Sequence, residues 1–268
     1  MKICIGIGYP LKYSRSPQMH NAAYKALGID DQFVYTTVEV KPQYLKMAVD
    51  GVRALGIRGM SITMPFKQTI MKYLERIDKE AKIIGAVNTI VNDNGELTGY
   101  NTDWIGAITA LEKKTKLKNK KVAVIGCGGV GRAIVYGLIK KKAIVKIFNR
   151  SKDKANQLAK EFGCECNDLN FLKEVINMDI IINATSVGMN EDQSVVDKKY
   201  LNKNQIIFDA VYLPKQTRLI KDAQSLGAQI IFGYEMLLYQ GVAQFELYTN
   251  MKASVEVMRK ALEGALNI

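Results

Sequence analysis

The chain has 268 residues, 48% of them apolar, with 21 glycines, 5 prolines and a formal net charge of +12. That composition excludes collagen-like and disordered chains and supports one large core or two modest ones. The basic balance admits an anionic small molecule, but the lysines are spread out and no nucleic-acid module or aromatic-interleaved basic stripe is present, so a solvated lysine-rich surface and no nucleic-acid partner are expected.

Residues 3–8 form an apolar run ending in Gly and Pro, which reads as a buried strand. Ser16-Pro17 then starts a helix, with Ser16 at the N-cap and Pro17 at the first helical position. Residues 33–38 read as a strand, Lys41-Pro42 opens a helix to about residue 55, and 59–63 is a strand. Residues 87–91 and 97–100 flank Asn92-Asp93-Asn94-Gly95, a hairpin signal. This alternation makes a first α/β unit of about a hundred residues. A helix at 103–113 runs into a lysine-rich stretch, 113–121, that reads as a linker. Strands at 121–125, 144–148, 180–183, 206–209 and 230–231 then alternate with helices at 130–139, 153–162 and near Leu219. The tail is helical over 235–248 and 254–266.

Cys4, Cys127, Cys164 and Cys166 do not reach the usual zinc spacings, and His20 is the sole histidine, so no metal is expected. Few cysteines and a start that reads at once as a strand point to a reducing, cytoplasmic setting. No apolar run nears the ~20 residues of a membrane span, so no membrane partner is expected. Oligomeric state, monomer or homodimer, is not legible.

Gly126-Cys127-Gly128-Gly129-Val130-Gly131 stands between a strand and a helix, the context a dinucleotide-binding G-x-G-x-x-G requires. The first glycine allows the turn, the second lets backbone approach a pyrophosphate, and the third lets helix and strand pack closely. The helix N-terminus adds free N–H groups for the phosphates. After the second strand, NAD enzymes carry an acidic residue for the ribose 2′-OH. Here the sequence is Asn149-Arg150-Ser151-Lys152-Asp153-Lys154. An Arg can grip a 2′-phosphate through two parallel hydrogen bonds, so NADP is the expected cofactor; the plainer reading is a solvated charged turn.

In the first unit, Ser14 and Ser16 flank Arg15 before a helix start. They either hold a carboxylate, helped by the helix dipole, or serve as turn and cap residues. Lys67 and Asp103 each have a plain reading as a surface lysine and a helix cap. If they face each other, the carboxylate orients an ammonium that can exchange a proton with a carbinol oxygen.

Several segments together resemble the shikimate dehydrogenases. They are residues 8–21 (Gly8-Tyr9-Pro10-Leu11-Lys12-Tyr13-Ser14-Arg15-Ser16-Pro17 and onward), Met64-Pro65-Phe66-Lys67, Gly85-Ala86-Val87-Asn88-Thr89 and Asn101-Thr102-Asp103. Asn149-Arg150-Ser151, Asn183-Ala184-Thr185-Ser186-Val187-Gly188-Met189 and Tyr239-Gln240-Gly241 continue the match, in order, along nearly the whole chain. The resemblance implies reversible reduction of 3-dehydroshikimate to shikimate with NADPH, in aromatic amino-acid biosynthesis. It implies Lys67 as general acid/base, with Asp103 as its partner and a hydroxyl ligand. It implies that Ser14 and Ser16 bind the substrate carboxylate, that Thr63, Asn88 and Gln240 bind carboxylate or ring hydroxyls, and that Tyr212 sits nearby. Gly126, Cys127, Gly128, Gly129 and Val130 would line the cofactor with Asn149, Arg150, Ser151, Lys152 and Lys154. Thr185, Ala210 and Gly233 would join them.

The implied fold class is α/β, an N-terminal α/β substrate domain plus a Rossmann-type doubly wound NADP domain. The tail helices would return to the first domain, giving domains of 1–103 with 235–268 and of 104–234. His20 reads as a packing residue. The chain departs from the family's usual Asn-Val-Thr at Ser61-Ile62-Thr63, where the Asn is a substrate contact and Ser61 is shorter. Residues 51–59 and 245–249 look more like a shikimate dehydrogenase-like subgroup, so an oxidoreductase of that subgroup with another substrate is one alternative enzyme; a quinate/shikimate dehydrogenase, on the strength of Ser61, is the other. A non-enzymatic NADP-binding module is the alternative from another class.

Overall fold

In the computed structural model, which describes residues 1–11 and 14–267, the chain divides into two units, 1–105 with 238–268 and 106–237. Lys12 and Tyr13, inside the N-terminal signature, lie outside the described residues.

The first unit opens with β1 (Lys2–Gly8), α1 (Ser16–Ala26), β2 (Phe33–Glu39), α2 (Leu45–Ala54) and β3 (Gly59–Ile62). It continues with β4 (Arg76–Ile77), α3 (Lys79–Ile84), β5 (Thr89–Asp93), β6 (Glu96–Tyr100) and the start of α4 (Asp103–Glu112). The sheet order is β2-β1-β3-β5-β6-β4. β1 pairs in parallel with both β2 and β3, which makes it an interior strand, and its residues 4–8 are buried while Ile3 is exposed. β3, β5 and β6 are antiparallel neighbours. Asp93 pairs with Glu96, leaving Asn94-Gly95 as a two-residue turn with φ of 56° and 96°. Both positions are left-handed, the conformation that an Asn-Gly hairpin turn supplies. One face of the sheet buries Ile7, Val49, Met60, Phe66 and Ile90 in a common core.

One expectation shifts by a residue. α1 starts at Ser16 itself, and Arg15 holds the N-cap position without a side-chain cap. The Ser14 hydroxyl accepts the Ser16 N–H at 3.3 Å, so a residue further back satisfies a donor at the helix start. Ser16 is therefore not spent as the cap. The helix expected from Lys41 opens as a 3-10 turn, Pro42–Tyr44, before α2.

The second unit carries β7 (Lys121–Ile125), α5 (Gly129–Lys140), β8 (Ile144–Asn149), α6 (Lys152–Phe162) and β9 (Glu165–Asp168). After these come β10 (Ile180–Asn183), β11 (Ile206–Asp209), α7 (Arg218–Ser225) and β12 (Gln229–Ile231). All its strand pairs are parallel, in the order β12-β11-β10-β7-β8-β9. Read from the other edge this is the doubly wound order, whose ligand crevice lies at the carboxyl ends of the strands where the order reverses. The lysine-rich stretch is not a free linker. Leu117 is buried, and the Asn119 N–H bonds to the Lys142 carbonyl.

α8 (Gly233–Thr249) and α9 (Val255–Leu266) close the chain. From Leu238 onward they belong to the first unit, where α9 packs on α1. No helix among the described residues is long and apolar enough to cross a membrane. No cluster of three or more His, Cys, Asp or Glu among them is placed to hold a metal.

Candidate active site

Lys67 stands just beyond β3, and its backbone is pinned. The Val87 N–H donates to the Lys67 carbonyl at 2.7 Å, and the neighbouring Phe66 ring is buried in the core. The residue is 9% exposed, and its side chain donates from Nζ to Oδ2 of Asp103 at 2.6 Å. Asp103 is 4% exposed. Burying either charge alone would be costly, and the pairing offsets that cost. Asp103 begins α4, yet it is not the cap. The Asn101 side-chain oxygen accepts the N–H groups of Asp103 and Trp104, which leaves the Asp103 carboxylate free to face Lys67.

Asn88 ties this pair to the rest of the unit. Its Nδ2 donates to Asp103 Oδ1 at 3.0 Å, Thr102 Oγ1 at 2.9 Å and Gln240 Oε1 at 3.3 Å. Its Oδ1 accepts from the Thr102 N–H at 2.7 Å and the Thr89 hydroxyl at 2.8 Å. Both ends of the amide are thus engaged within the protein, and its orientation is fixed.

Ser61 sits at the edge of the same network. Its hydroxyl donates to Gln244 Oε1 at 3.1 Å and lies 2.8 Å from the Tyr248 hydroxyl. Gln244 donates in turn to Thr89 Oγ1 at 3.0 Å. Gly59 makes room for this arrangement, because a Cβ there would stand 2.4 Å from the Tyr248 ring. Burial pushes the Tyr248 hydroxyl well above the ordinary phenol range, so it serves as a neutral partner. Gln244 and Tyr248 are not legible as site residues in the sequence, though Gln244 follows Gln240 by four, the spacing that puts both on one helix face.

Thr63 lies at the carboxyl end of β3 and meets Gly8 at the end of β1, where a Cβ would stand 2.4 Å from Thr63 Cγ2. Ser16 is buried beside the Tyr35 hydroxyl. His20 is fully buried and stacks on Tyr35 at 4.3 Å with planes 7° apart. Burial pushes its imidazole down to about 3, so it stays neutral and packs rather than exchanging protons near neutral pH.

In the second unit the residues expected to hold a cofactor follow the carboxyl ends of its parallel strands. Gly126 turns with φ of 113°, and a Cβ there would press on the Ala184 carbonyl oxygen and Thr185 Cγ2 at 3.0 Å. Gly128 is different: a Cβ there would meet nothing within 4 Å. It stands at the N-cap of α5 without a side-chain cap, so the first N–H groups of Gly129 and Val130 point from an open helix end. The Cys127 thiol, half-buried, is pushed up to about 11 by burial.

Arg150, Lys152 and Lys154 are exposed after β8, and Arg150 joins no ion pair among the described residues. Asn149 Nδ2 donates to the Ser151 carbonyl at 2.9 Å, and Ser151 caps α6. Thr185 follows β10, and Ala210 and Tyr212 follow β11. Gly233 lies against the carbonyls of Ala210 and Val211, where a Cβ would come within 2.7 and 2.6 Å. An open helix end with a small residue at its mouth and free cations one strand away suits a polyphosphate with a further phosphate beyond it.

Comparison with known proteins gives matches over most of the chain. Residues 7–90 match the shikimate dehydrogenase substrate binding domain, 109–211 the family model described as shikimate / quinate 5-dehydrogenase, and 233–263 the shikimate 5′-dehydrogenase C-terminal domain. A shikimate dehydrogenase (NADP(+)) of Pyrococcus abyssi is 44% identical over 97% of each chain. A crystallised shikimate dehydrogenase in complex with NADP+ superimposes with a TM-score of 0.93 at 40% identity, covering 99% of this chain and 96% of the other. The Thermus thermophilus shikimate 5-dehydrogenase in complex with NADP(H) and shikimate gives 0.92 at 31% identity, covering 99% and 100%.

Proposed function

The chain belongs to the shikimate dehydrogenase family, and from that premise we propose that it interconverts 3-dehydroshikimate and shikimate with NADP(H), using Lys67 as the acid–base group and Asp103 as its partner. The observation that carries the proposal is the buried contact of Lys67 Nζ with Asp103 Oδ2 at 2.6 Å. An ammonium has three N–H donors, so a single bond to Asp103 leaves others for a substrate oxygen. In the direction of reduction Lys67 gives its proton to the carbonyl oxygen; in the reverse direction the free amine takes it from the hydroxyl. Asp103 holds the amine in line and accepts from a ring hydroxyl. Asn88 keeps the carboxylate from turning, and Gln240 holds Asn88. Ser14, Ser16 and Thr63 supply hydroxyls for the substrate carboxylate, Ser61 meets the ring, Tyr212 is a further substrate-binding residue, and each polar group discriminates against an analogue that leaves it unpaired.

NADPH, when bound, supplies the hydride. The open N-terminus of α5 and the backbone from Gly126 to Val130 would hold its pyrophosphate. Arg150, with Ser151 and Lys154, would take the 2′-phosphate, while Asn149, Lys152, Thr185, Ala210 and Gly233 line the remainder. Gly128 supports this fit, since its open side leaves room for a ligand.

A second reading is a dehydrogenase that also takes quinate, whose ring carries an extra hydroxyl. It draws support from Ser61, shorter than the Asn usual in the family and turned toward Tyr248 and Gln244. Steady-state rates with shikimate and quinate, each with NADP+ and NAD+, separate the two. Turnover of shikimate with NADP+ is expected, and its absence rejects the leading proposal.

A further inference from the structure

Asp209, at the end of β11, is fully buried. It is paired with Asn183 across the sheet, at the end of β10. Its Oδ2 accepts the Thr217 hydroxyl at 2.6 Å, and its Oδ1 accepts from Asn183 Nδ2 at 2.9 Å and the Val211 N–H at 3.0 Å. Asn183 passes the order on. Its Oδ1 accepts both the N–H and the hydroxyl of Thr185, at 3.0 and 2.7 Å, and its Nδ2 also donates to the Val187 carbonyl at 3.1 Å. Thr185 Oγ1 then accepts the Val187 N–H at 3.1 Å.

Two loops are therefore fastened to one carboxylate. The first follows β10 and carries Thr185. The second follows β11 and carries Ala210 and Tyr212, and Thr217 closes it by capping α7. Neither loop can shift alone. Thr185 presses on Gly126, the first glycine of the dinucleotide turn, Gly188 packs on Thr217, and Ala210 and Val211 press on Gly233. A carboxylate sealed in a core is costly unless hydrogen-bonded, and hydrophobic residues would hold these strands as well. Its bonds go instead to the loops that close one half of the nucleotide crevice.

We propose that Asp209 is a positioning residue of the cofactor site: its carboxylate sets the loops bearing Thr185 and Ala210 against the glycine turn, so its loss weakens NADPH binding and leaves substrate binding in place. The inference rests on the reading of these loops as the NADP site. It assigns to Asp209 no contact with cofactor or substrate.

The test is NADPH titration by its own fluorescence, run beside shikimate titration followed through Trp104, the sole tryptophan, which adjoins Asp103. Asp209→Ala is expected to raise the NADPH Kd about tenfold, the size of one lost buried hydrogen bond, with shikimate affinity within about twofold. Asp209→Asn retains an acceptor for Asn183 and Val211 and can donate to Thr217, so it should recover most of the affinity. A folded Asp209→Ala protein that binds NADPH like the wild type, whatever its melting temperature, overturns the proposal. Thr217→Val removes only the hydroxyl and decides the matter if Asp209→Ala does not fold: unchanged NADPH affinity there overturns it too. Wild-type protein that fails to bind NADPH removes the cofactor reading itself, and this inference with it.

Discussion

A methyl group on Gly131 would stand 2.1 Å from the carbonyl oxygen of Gly126, whereas one on Gly128 would meet no atom within 4 Å. Two glycines of one motif thus answer to different demands. Gly131 is small because helix and turn touch there; no described atom crowds Gly128, and under the proposed cofactor reading its smallness serves the ligand. Gly131→Ala is expected to cost about 1–3 kcal/mol or more by overpacking. Gly128 has φ of −73°, open to any residue, so Gly128→Ala should keep the wild-type melting temperature but bind NADPH more weakly. Thermal unfolding and NADPH titration of both variants check this; equal melting temperatures for the pair would contradict it.

Lys67→Ala removes the proposed acid–base group and changes no residue of the second unit. kcat should fall by about 10²–10⁴, the usual range for such a group. NADPH affinity should stay within about twofold, because the bonds described for Lys67 stay within the first unit. An active variant would take Lys67 out of the mechanism.

Arg150→Ala separates the cofactors. Loss of a guanidinium–phosphate contact should weaken NADP+ about 10- to 100-fold and leave NAD+ nearly unchanged. Measuring kcat/KM for both cofactors gives the answer. An NADP+ preference that survives the substitution removes the role assigned to Arg150.

His20 gives the fold a dependence on acid. Its imidazole titrates near 6.5 in the unfolded chain and is pushed down to about 3 by burial in the native one. As pH falls below about 6.5 the unfolded state takes up the proton first, so stability declines until about pH 3. Between pH 7 and pH 5 the loss is about 2 kcal/mol. His20→Phe keeps a ring against Tyr35 and cannot titrate. Urea unfolding at both pH values should show the wild type losing about 2 kcal/mol more than the variant on acidification. An equal loss in both proteins would exclude His20 as the source.

The sequence is most legible where burial and pattern agree. Val122 to Ile125, Ile180 to Ile182 and Ile206 to Phe208 are apolar runs, and each lies in a strand at the expected place. β9 escapes notice because Glu165-Cys166-Asn167-Asp168 is an edge strand with no apolar face to declare it. β4 and α3 are too short to show a period. Lys67 and Asp103 stand out as residue types, but their meeting depends on the strand crossing that separates them, which spacing does not encode. Ser61 shows the same limit. As a departure from the family it is visible at once, while its bonds to Tyr248 and Gln244 require α8 to return to the sheet. Asp209 reads as the polar end of a strand, and only the fold reveals that it is sealed.

Asn88 has consequences for the order in which the molecule is made. Its partners Gln240 and Gln244 lie 152 and 156 residues further along the chain. The nucleotide unit, 106–237, is contiguous and complete before either glutamine has been synthesised. Domains generally fold as units during synthesis. The second unit can therefore settle while the amide of Asn88 still lacks Gln240, and the network around Lys67 closes only when the last helices arrive. A growing chain gains its dinucleotide loops before the Asn88 network beside Lys67 and Asp103 can close.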